Sequence, residues 1–337
     1  MPKRIQFSAP GVTEICEYDL PELNSNEVRV RLAVSTISSG TERANLLGDP
    51  RLSVWGFATT FPRCQGYSSA GVIVEVGSEV PDLKVGDRVA ICWSTHSEIV
   101  TIAYTNVYKL PDEISFSNAS IYNIASFPLA AIRKCKLEIG ESAIVMGMGI
   151  LGLMAIPLLK VAGAAPIIAV DPVKEKREKA MASGADYALD PLAPDFAETV
   201  KRITNGGAKV GIEVTGVGAG LNGILDCMAK FGRVALLGCT RDKSFEIDYY
   251  RKVHSPGITL VGAHTVARPM VESYPGYFTH RDDIKAVLKL CATGRLSIGD
   301  MVAEKHSPID CQEVYTRLIN DKNFPTVVQF DWSRLEK

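Results

Sequence analysis

Residues 142–171, SAIVMGMGILGLMAIPLLKVAGAAPIIAVD, decide how this chain is read. The apolar run Ala143 to Met146 has the length of a buried strand. It leads without a break into Gly147-Met148-Gly149-Ile150-Leu151-Gly152, and a helical pattern follows to about Ala162. A second apolar run, IIAV, ends on Asp171, about 20 residues beyond the last glycine. A G-x-G-x-x-G string alone says little, but between a strand and a helix, with an acid closing the next strand, it is the fingerprint of a dinucleotide site. Gly147 permits the tight turn, Gly149 lets the backbone approach a pyrophosphate, and Gly152 lets helix and strand pack closely. Ile150 and Leu151 open the helix whose N-terminus faces the phosphates. Asp171 is expected to accept from both adenosine ribose hydroxyls and to repel the extra phosphate of NADP, which favours NAD, with Lys176 on the ribose side. The competing reading, that the glycines only tighten a turn and Asp171 only caps the next helix, is weakened because all the features occur in order.

Outward from this stretch the rhythm is strand, then helix. Downstream come a charge-rich helix, VKEKREKAMASG, that stops at Gly184, then VGIEVTG (210–216), a helical GLNGILDCMAKFG (220–232), RVALLG (233–238) and TLVGA (259–263). Such alternation implies an α/β fold with a parallel, doubly wound sheet. Residues 1 to about 110 hold short extended runs instead: IQFS, VRVRLAV, AGVIVEVG, DRVAI and EIVTIAY, separated by Gly, Pro, Asn and Asp. Helices are expected near 282–293 and 309–320, with a final strand in TVVQFD. A chain of 337 residues accommodates two such domains, one α/β and one β-rich.

Composition excludes several functions. Lys and Arg number 37 against 38 Asp and Glu, so the formal charge of -1 gives no general attraction for nucleic acid or anionic membranes, and a small uncharged partner is expected. The cysteines at 16, 64, 92, 135, 227, 239, 291 and 311 show no C-x-x-C spacing, which supports neither a zinc ribbon nor a disulfide framework. The uncharged runs 114–132 and 142–159 approach membrane length but are broken by Ser and Asn in the first and by Gly and Pro in the second. The opening MPKRIQFSAPG has no apolar run behind its basic end, so no secretory leader is expected and the cytoplasm is the expected compartment.

The glycine motif, taken with AGVIVEVG (70–77), GDRVAI (86–91), LPDEISFSNAS (110–120) and ASGADYALDP (182–191), resembles the medium-chain dehydrogenase/reductase superfamily of alcohol dehydrogenase type over nearly the whole chain. The resemblance implies a GroES-like, β-rich catalytic domain at 1–127 and 266–337, a Rossmann NAD-binding domain at 128–265, and an active site in the cleft between them. It also implies backbone-rich cofactor contacts at Thr215, Gly238 and Cys239, and at Ala263 and His264 toward the nicotinamide carboxamide. Pairing of two copies through the sheet edge holding RVALLG and ITLVGA, to give a homodimer, is a further implication.

The departures fall on the metal. Zinc-dependent relatives begin a Cys-x-Thr/Ser-Asp segment with a ligand where this chain has Ser39-Gly40-Thr41-Glu42, and carry His and Glu in a Gly-His-Glu segment where it has Gly66-Tyr67-Ser68. Their third position falls near Phe127. Ser, Tyr, Ser and Phe do not make the ligand set of a catalytic zinc, and Cys92 is the lone cysteine where a four-cysteine structural lobe would sit. No catalytic or structural zinc is therefore expected, and Cys64 with His96 is read as incidental. SGTE, with the tail YPGYFTHRDDIKAVLKLCATGRL, resembles a zinc-lacking branch of dehydrogenases for sugars, glycosides, cyclitols or bacteriochlorophyll-type side-chain alcohols.

Without a metal, oxidising a secondary alcohol takes a base on the hydroxyl proton and a carbinol hydrogen aimed at the nicotinamide. Thr41 matches the relatives' relay hydroxyl and Tyr67 occupies the former His position, so both are expected at the reacting oxygen. Glu42 either orients Tyr67 or a water, or braces its loop through backbone hydrogen bonds. Ser39 either takes part or fills the space of the missing cysteine. His96 is either a proton shuttle or a surface-loop residue without a role. Tyr274, Tyr277, His280 and Arg281 either line a sugar pocket or anchor the helix that follows, and Trp55 and Phe57 pose the same choice. The expected function is zinc-independent, NAD-dependent oxidation of a secondary alcohol in a sugar, glycoside or cyclitol. Two rivals stay open: a quinone or enoyl reductase, against which Asp171 weighs, and a nucleotide-binding protein without turnover.

Overall fold

The computed structural model describes residues 1–49, 60–240 and 244–335 and divides into two units, Met1–Ile124 with Ile284–Lys337, and Ala125–Asp283. In the first unit β1 (Lys3–Ala9) and β2 (Val12–Glu17) pair with each other. A second sheet is built from β3 (Glu27–Thr36), β4 (Ser68–Val76), β5 (Arg88–Cys92), β6 (Ile99–Ala103) and β7 (Val107–Lys109), with α1 (Ser39–Leu46) between β3 and β4 and α2 (Phe116–Ala119) following β7. Strand β3 alternates as its sequence does, turning Val28, Val30 and Leu32 into the core and Arg29 and Arg31 outward. From Val34 onward every residue is buried, including Ser35 and Thr36. That polar, buried strand end feeds the candidate site.

Helix α3 (Tyr122–Lys134) carries the chain into the second unit. There β8 (Ala143–Met146), α4 (Ile150–Ala162), β9 (Ile167–Val170), α5 (Lys174–Ala182), β10 (Tyr187–Leu189), α6 (Phe196–Ile203), β11 (Ala208–Glu213), α7 (Gly218–Asp226), β12 (Met228–Leu236) and β13 (Thr259–Gly262) alternate. The six strands are parallel in the order β10-β9-β8-β11-β12-β13, so the doubly wound expectation holds and the order reverses between β8 and β11. AIVM and IIAV are buried at every position, which is why they read as unbroken apolar runs: helices cover both faces of the sheet. Helix α8 (His280–Ala292) leads back to the first unit, where β14 (Glu304–His306), α9 (Cys311–Asn320) and β15 (Val328–Asp331) complete its larger sheet by pairing β15 with β3.

Two expectations need correction. The helix read at 220–232 stops at Asp226, and Met228 already pairs with Ala208. The residues after it bulge around Phe231, which takes φ +62°, before the ladder resumes at Arg233. Residues 266–283 stay with the nucleotide unit rather than returning to the β-rich one. Lys134 bonds the carbonyls of Gly262 and Ala267, Arg268 donates to the Ser126 carbonyl, and Asp283 takes both Arg133 and Arg268. The first boundary likewise falls at 125 rather than 128. Among the described residues no helix is long and apolar enough to cross a membrane.

Candidate functional site

The turn after β8 forms as its glycines dictate. Gly147 takes φ +102°, a conformation that side chains resist, and its N–H bonds the Val170 carbonyl at 2.7 Å. A Cβ on Gly152 would stand 1.8 Å from the Gly147 carbonyl oxygen, whereas one on Gly149 would meet nothing within 4 Å. The first distance shows how closely α4 packs on the turn. The second leaves room for a diphosphate at the N-terminus of α4, where Ile150, Leu151 and Gly152 supply first-turn amides.

Asp171 is 6% exposed, and its carboxylate accepts from the N–H of Met148 at 2.8 Å and of Val173 at 2.9 Å. It ties the glycine turn to the start of α5. Each oxygen uses one lone pair in this way, which leaves acceptor capacity for ribose hydroxyls. Lys176 lies half-buried in the first turn of α5. Arg177, absent from the sequence reading, donates to the carbonyls of Asp171 (2.7 Å) and Pro172 (2.9 Å) and fixes the same bend.

At the end of β11 the structure brings Thr215, Gly238 and Cys239 together around a residue the sequence reading missed. Glu213, almost fully buried, accepts from the Thr215 amide (2.8 Å) and hydroxyl and from the Gly216 amide (3.2 Å), while its own carbonyl takes the Gly238 N–H at 2.8 Å. Burial pushes its carboxyl above the usual range, and the bonds to Thr215 and Gly216 work against that shift. A Cβ on Gly238 would lie 2.4 Å from the Gly216 nitrogen, and one on Gly216 would lie 2.7 Å from the Cys239 carbonyl oxygen. Beyond β13, Ala263 bonds the Leu236 carbonyl, and His264 accepts from Val266 N–H through Nδ1 at 3.3 Å.

In the first unit the loop entering α1 meets β4 through hydroxyls. Ser38 Oγ and Tyr67 Oη share a hydrogen bond, while Ser39 and Thr41 lie half-buried in the first turn of α1. The Tyr67 carbonyl accepts from Trp93 N–H (2.8 Å) and Asn123 Nδ2 (2.6 Å). Trp93 takes φ +64°, is 43% exposed and sets its ring 5.8 Å from that of Tyr67. A bulky side chain pays strain in that conformation, and such outliers gather at functional sites.

Glu42 turns into the core. One oxygen accepts from the Ser38 N–H at 2.8 Å, and the other accepts from the Tyr315 hydroxyl at 2.6 Å and faces His96 Nε2 at 3.1 Å. His96 is 0% exposed, which corrects the reading of a surface-loop residue. Its Nδ1 lies 2.7 Å from Ser35 Oγ, and Trp332 Nε1 donates to the same oxygen at 2.9 Å. One proton arrangement satisfies every member: Trp332 donates to Ser35, the Ser35 hydroxyl to Nδ1, and Nε2–H to Glu42. Burial and the Glu42 charge push the Tyr315 phenol well above its ordinary range, so it remains a donor. Gly66, at φ +98°, lets this ring approach, since a Cβ there would stand 2.5 Å from it.

The other candidates separate. Tyr274 and Tyr277 stack on each other at 5.1 Å, and Arg281 is exposed. His280 opens α8, and burial, with the nearby Arg268 charge, pushes its pKa down to about 4. Trp55 and Phe57 lie outside the described residues. Among those described, no group of three or more His, Cys, Asp or Glu could hold a metal ion. Of the residues that the resemblance sets against zinc ligands, Ser68 donates its hydroxyl to the Ser120 carbonyl at 2.7 Å, and Phe127 is buried with the Arg268 guanidinium 5.5 Å from its ring. This donor set does not fit a catalytic zinc.

Comparison with known proteins agrees with the two-unit architecture. Residues 24–112 match the alcohol dehydrogenase GroES-like domain and residues 151–283 match the zinc-binding dehydrogenase family. The chain is 31% identical over 293 residues to (R,R)-butanediol dehydrogenase of Bacillus subtilis, covering 78% of this chain and 80% of the relative. It is 29% identical over 322 residues to D-guloside 3-dehydrogenase of Shigella flexneri, covering 89% and 91%. The crystal structure of 2R,3R-butanediol dehydrogenase from Bacillus subtilis superimposes with a TM-score of 0.81 at 25% identity, over 98% of this chain and 99% of that one. The chain belongs to the medium-chain alcohol dehydrogenase family and is an oxidoreductase acting on CH–OH groups.

Proposed function

We propose that this chain oxidises a secondary alcohol of a sugar, glycoside or cyclitol with NAD and without zinc. The observation that carries the reading is the Ser38–Tyr67 hydroxyl pair, in which Tyr67 stands at the sequence position where zinc-dependent relatives carry His and Ser38 directly precedes the one where they carry Cys, backed by a Glu42 carboxylate already committed to Ser38, Tyr315 and His96. Gly147, Gly149 and Gly152 shape the diphosphate turn, and Asp171 takes the ribose and repels a 2′-phosphate. When bound, the nicotinamide supplies the acceptor for the hydride leaving the carbinol carbon. The hydroxyl proton is the protein's task. Tyr67, held by Ser38 through its hydroxyl and by Trp93 and Asn123 through its carbonyl, is assigned to it, with Thr41 as the second hydroxyl at the reacting oxygen. Glu42 and His96 act at one remove by fixing the Ser38 loop. The exposed Trp93 ring beside Tyr67 suits the apolar face of a sugar, in keeping with the guloside dehydrogenase relative. A homodimer through the edge strand β13 belongs to the same reading.

The test is a panel of sugars, glycosides and polyols with NAD or NADP, followed by NADH or NADPH absorbance, alongside metal analysis of the purified protein. Turnover with NAD that survives chelation supports the reading. Turnover lost on chelation and restored by zinc overturns the metal-free chemistry, and a clear preference for NADP overturns the role given to Asp171.

A further inference from the structure

We infer that Lys134 is a positioning residue for the nicotinamide half of the cofactor, an inference that rests on the proposed NAD chemistry. Asp171 places the adenosine half over β9, and the order reverses between β8 and β11, so the second half of a dinucleotide belongs over the carboxyl ends of β11, β12 and β13. The segment 262–267 leaves the carboxyl end of β13.

Lys134, the last residue of α3, is only 5% exposed. Its ammonium donates to the Gly262 carbonyl at 2.9 Å and to the Ala267 carbonyl, the two ends of that segment. Within the segment the Ala263 N–H bonds the Leu236 carbonyl at 3.1 Å, and the Ala267 N–H bonds the His264 carbonyl at 2.9 Å. One buried cation thus closes the neck of a loop whose interior is already pinned to β12. The Tyr277 ring, 5.8 Å from Nζ, lies on the same ammonium.

Burying an ammonium costs solvation that an apolar side chain of the same length would not lose. Two backbone carbonyls are what this one binds for that cost, and their spacing sets the shape of the loop. Lys134 touches no reacting atom in this scheme. It acts through residues 262–267, so its loss is expected to be felt by the nicotinamide end and not by the ADP-ribose end.

The test uses the full-length protein and two ligands, NADH and ADP-ribose, the second lacking only the nicotinamide. Both are titrated by calorimetry into the wild type, Lys134→Met and Lys134→Arg. The expected result is that Lys134→Met weakens NADH about tenfold while ADP-ribose changes by less than about twofold. Lys134→Arg, which keeps a cation and its donors, is expected to retain more NADH affinity than Lys134→Met. Undiminished NADH affinity in Lys134→Met, an equal loss of both ligands, or an equal fall in the two variants overturns the inference. A wild-type protein that binds neither ligand refutes the NAD reading itself and the inference with it.

Discussion

At Gly147, Gly149 and Gly152 the second unit makes its site by leaving side chains out, whereas at Ser35, Glu42, His96 and Tyr315 the first unit makes its site by burying them. The turn is backbone, specified by six consecutive residues, and its tolerance is set by how near one carbonyl lies to one missing Cβ. The buried network is a closed set of donors and acceptors drawn from β3, α1, the β5–β6 connection, α9 and Trp332 just after β15, and its tolerance is set by how many partners one deletion strands. The two regions should therefore fail differently: the turn through ligand affinity, the network through stability.

The largest effect tests the second half of that contrast. Glu42→Ala leaves the Ser38 N–H, His96 Nε2 and the Tyr315 hydroxyl in the core without their acceptor. It is expected to cost about 3–5 kcal/mol in urea unfolding, with NADH affinity of the folded protein unchanged. A cost under about 1 kcal/mol would show that the network is loosely held. Next comes Tyr67→Phe, which keeps the ring on Trp93 and removes the hydroxyl that meets Ser38. It is expected to lower kcat about 100-fold, the usual scale for a lost acid–base group, while the KM for NAD stays put. An unchanged kcat would move the proton to Thr41.

A smaller pair of substitutions sharpens the other half. Gly152→Ala drives a Cβ into the Gly147 carbonyl and is expected to cost about 1–3 kcal/mol of stability together with NADH affinity. Gly149→Ala meets no protein atom, so stability should hold within about 0.5 kcal/mol while NADH binding falls. If Gly149→Ala leaves NADH affinity intact, the diphosphate does not approach that backbone.

The same contrast explains what can be read from sequence. The glycine turn, β8, β9 and Asp171 are legible because their requirements are local: a positive φ at Gly147, a close approach at Gly152, an acid at a strand end. Glu213 is printed in plain view inside VGIEVTG, yet a lone acid in a buried strand acquires its meaning only from the Thr215–Gly216 turn that it folds beneath. The network is hidden by distance, since His96 and Tyr315 reach Glu42 from 54 and 273 residues away. Ser38 and Ser39 are neighbours that composition cannot separate. Ser39 begins α1, and Ser38 sits just outside it with non-helical dihedrals, which frees its hydroxyl for Tyr67. The boundary near 283 is equally non-local, because it rests on Arg133 and Arg268 meeting Asp283.

The smallest expected effect lies within the nucleotide unit but away from its ligand. Arg233 of β12 grips Glu141, just before β8, with two donors, and its Nε bonds the Cys135 carbonyl at 2.7 Å. These residues sit at the amino ends of the strands, opposite the glycine turn, since Ala143 and Arg233 both pair with Val210. The Arg233 side chain holds the Glu141 carboxyl below its usual range, against the opposing pull of partial burial. A carboxyl whose folded pKa is depressed stabilises the fold fully above its unfolded pKa and stops doing so as pH falls through the folded one. Wild type and Arg233→Gln should therefore differ by about 0.5–1 kcal/mol near neutral pH, the scale of a partly exposed pair, and converge as the pH falls below about 4. Urea unfolding across that range measures the convergence, and NADH affinity at neutral pH should be the same in both. A gap that persists in acid would assign the effect to the bond from Nε to Cys135 instead of the charge on Glu141. A fall in NADH affinity would show that the two ends of the sheet are coupled, and the contrast between a backbone site and a side-chain site would then no longer be drawn at the glycine turn alone.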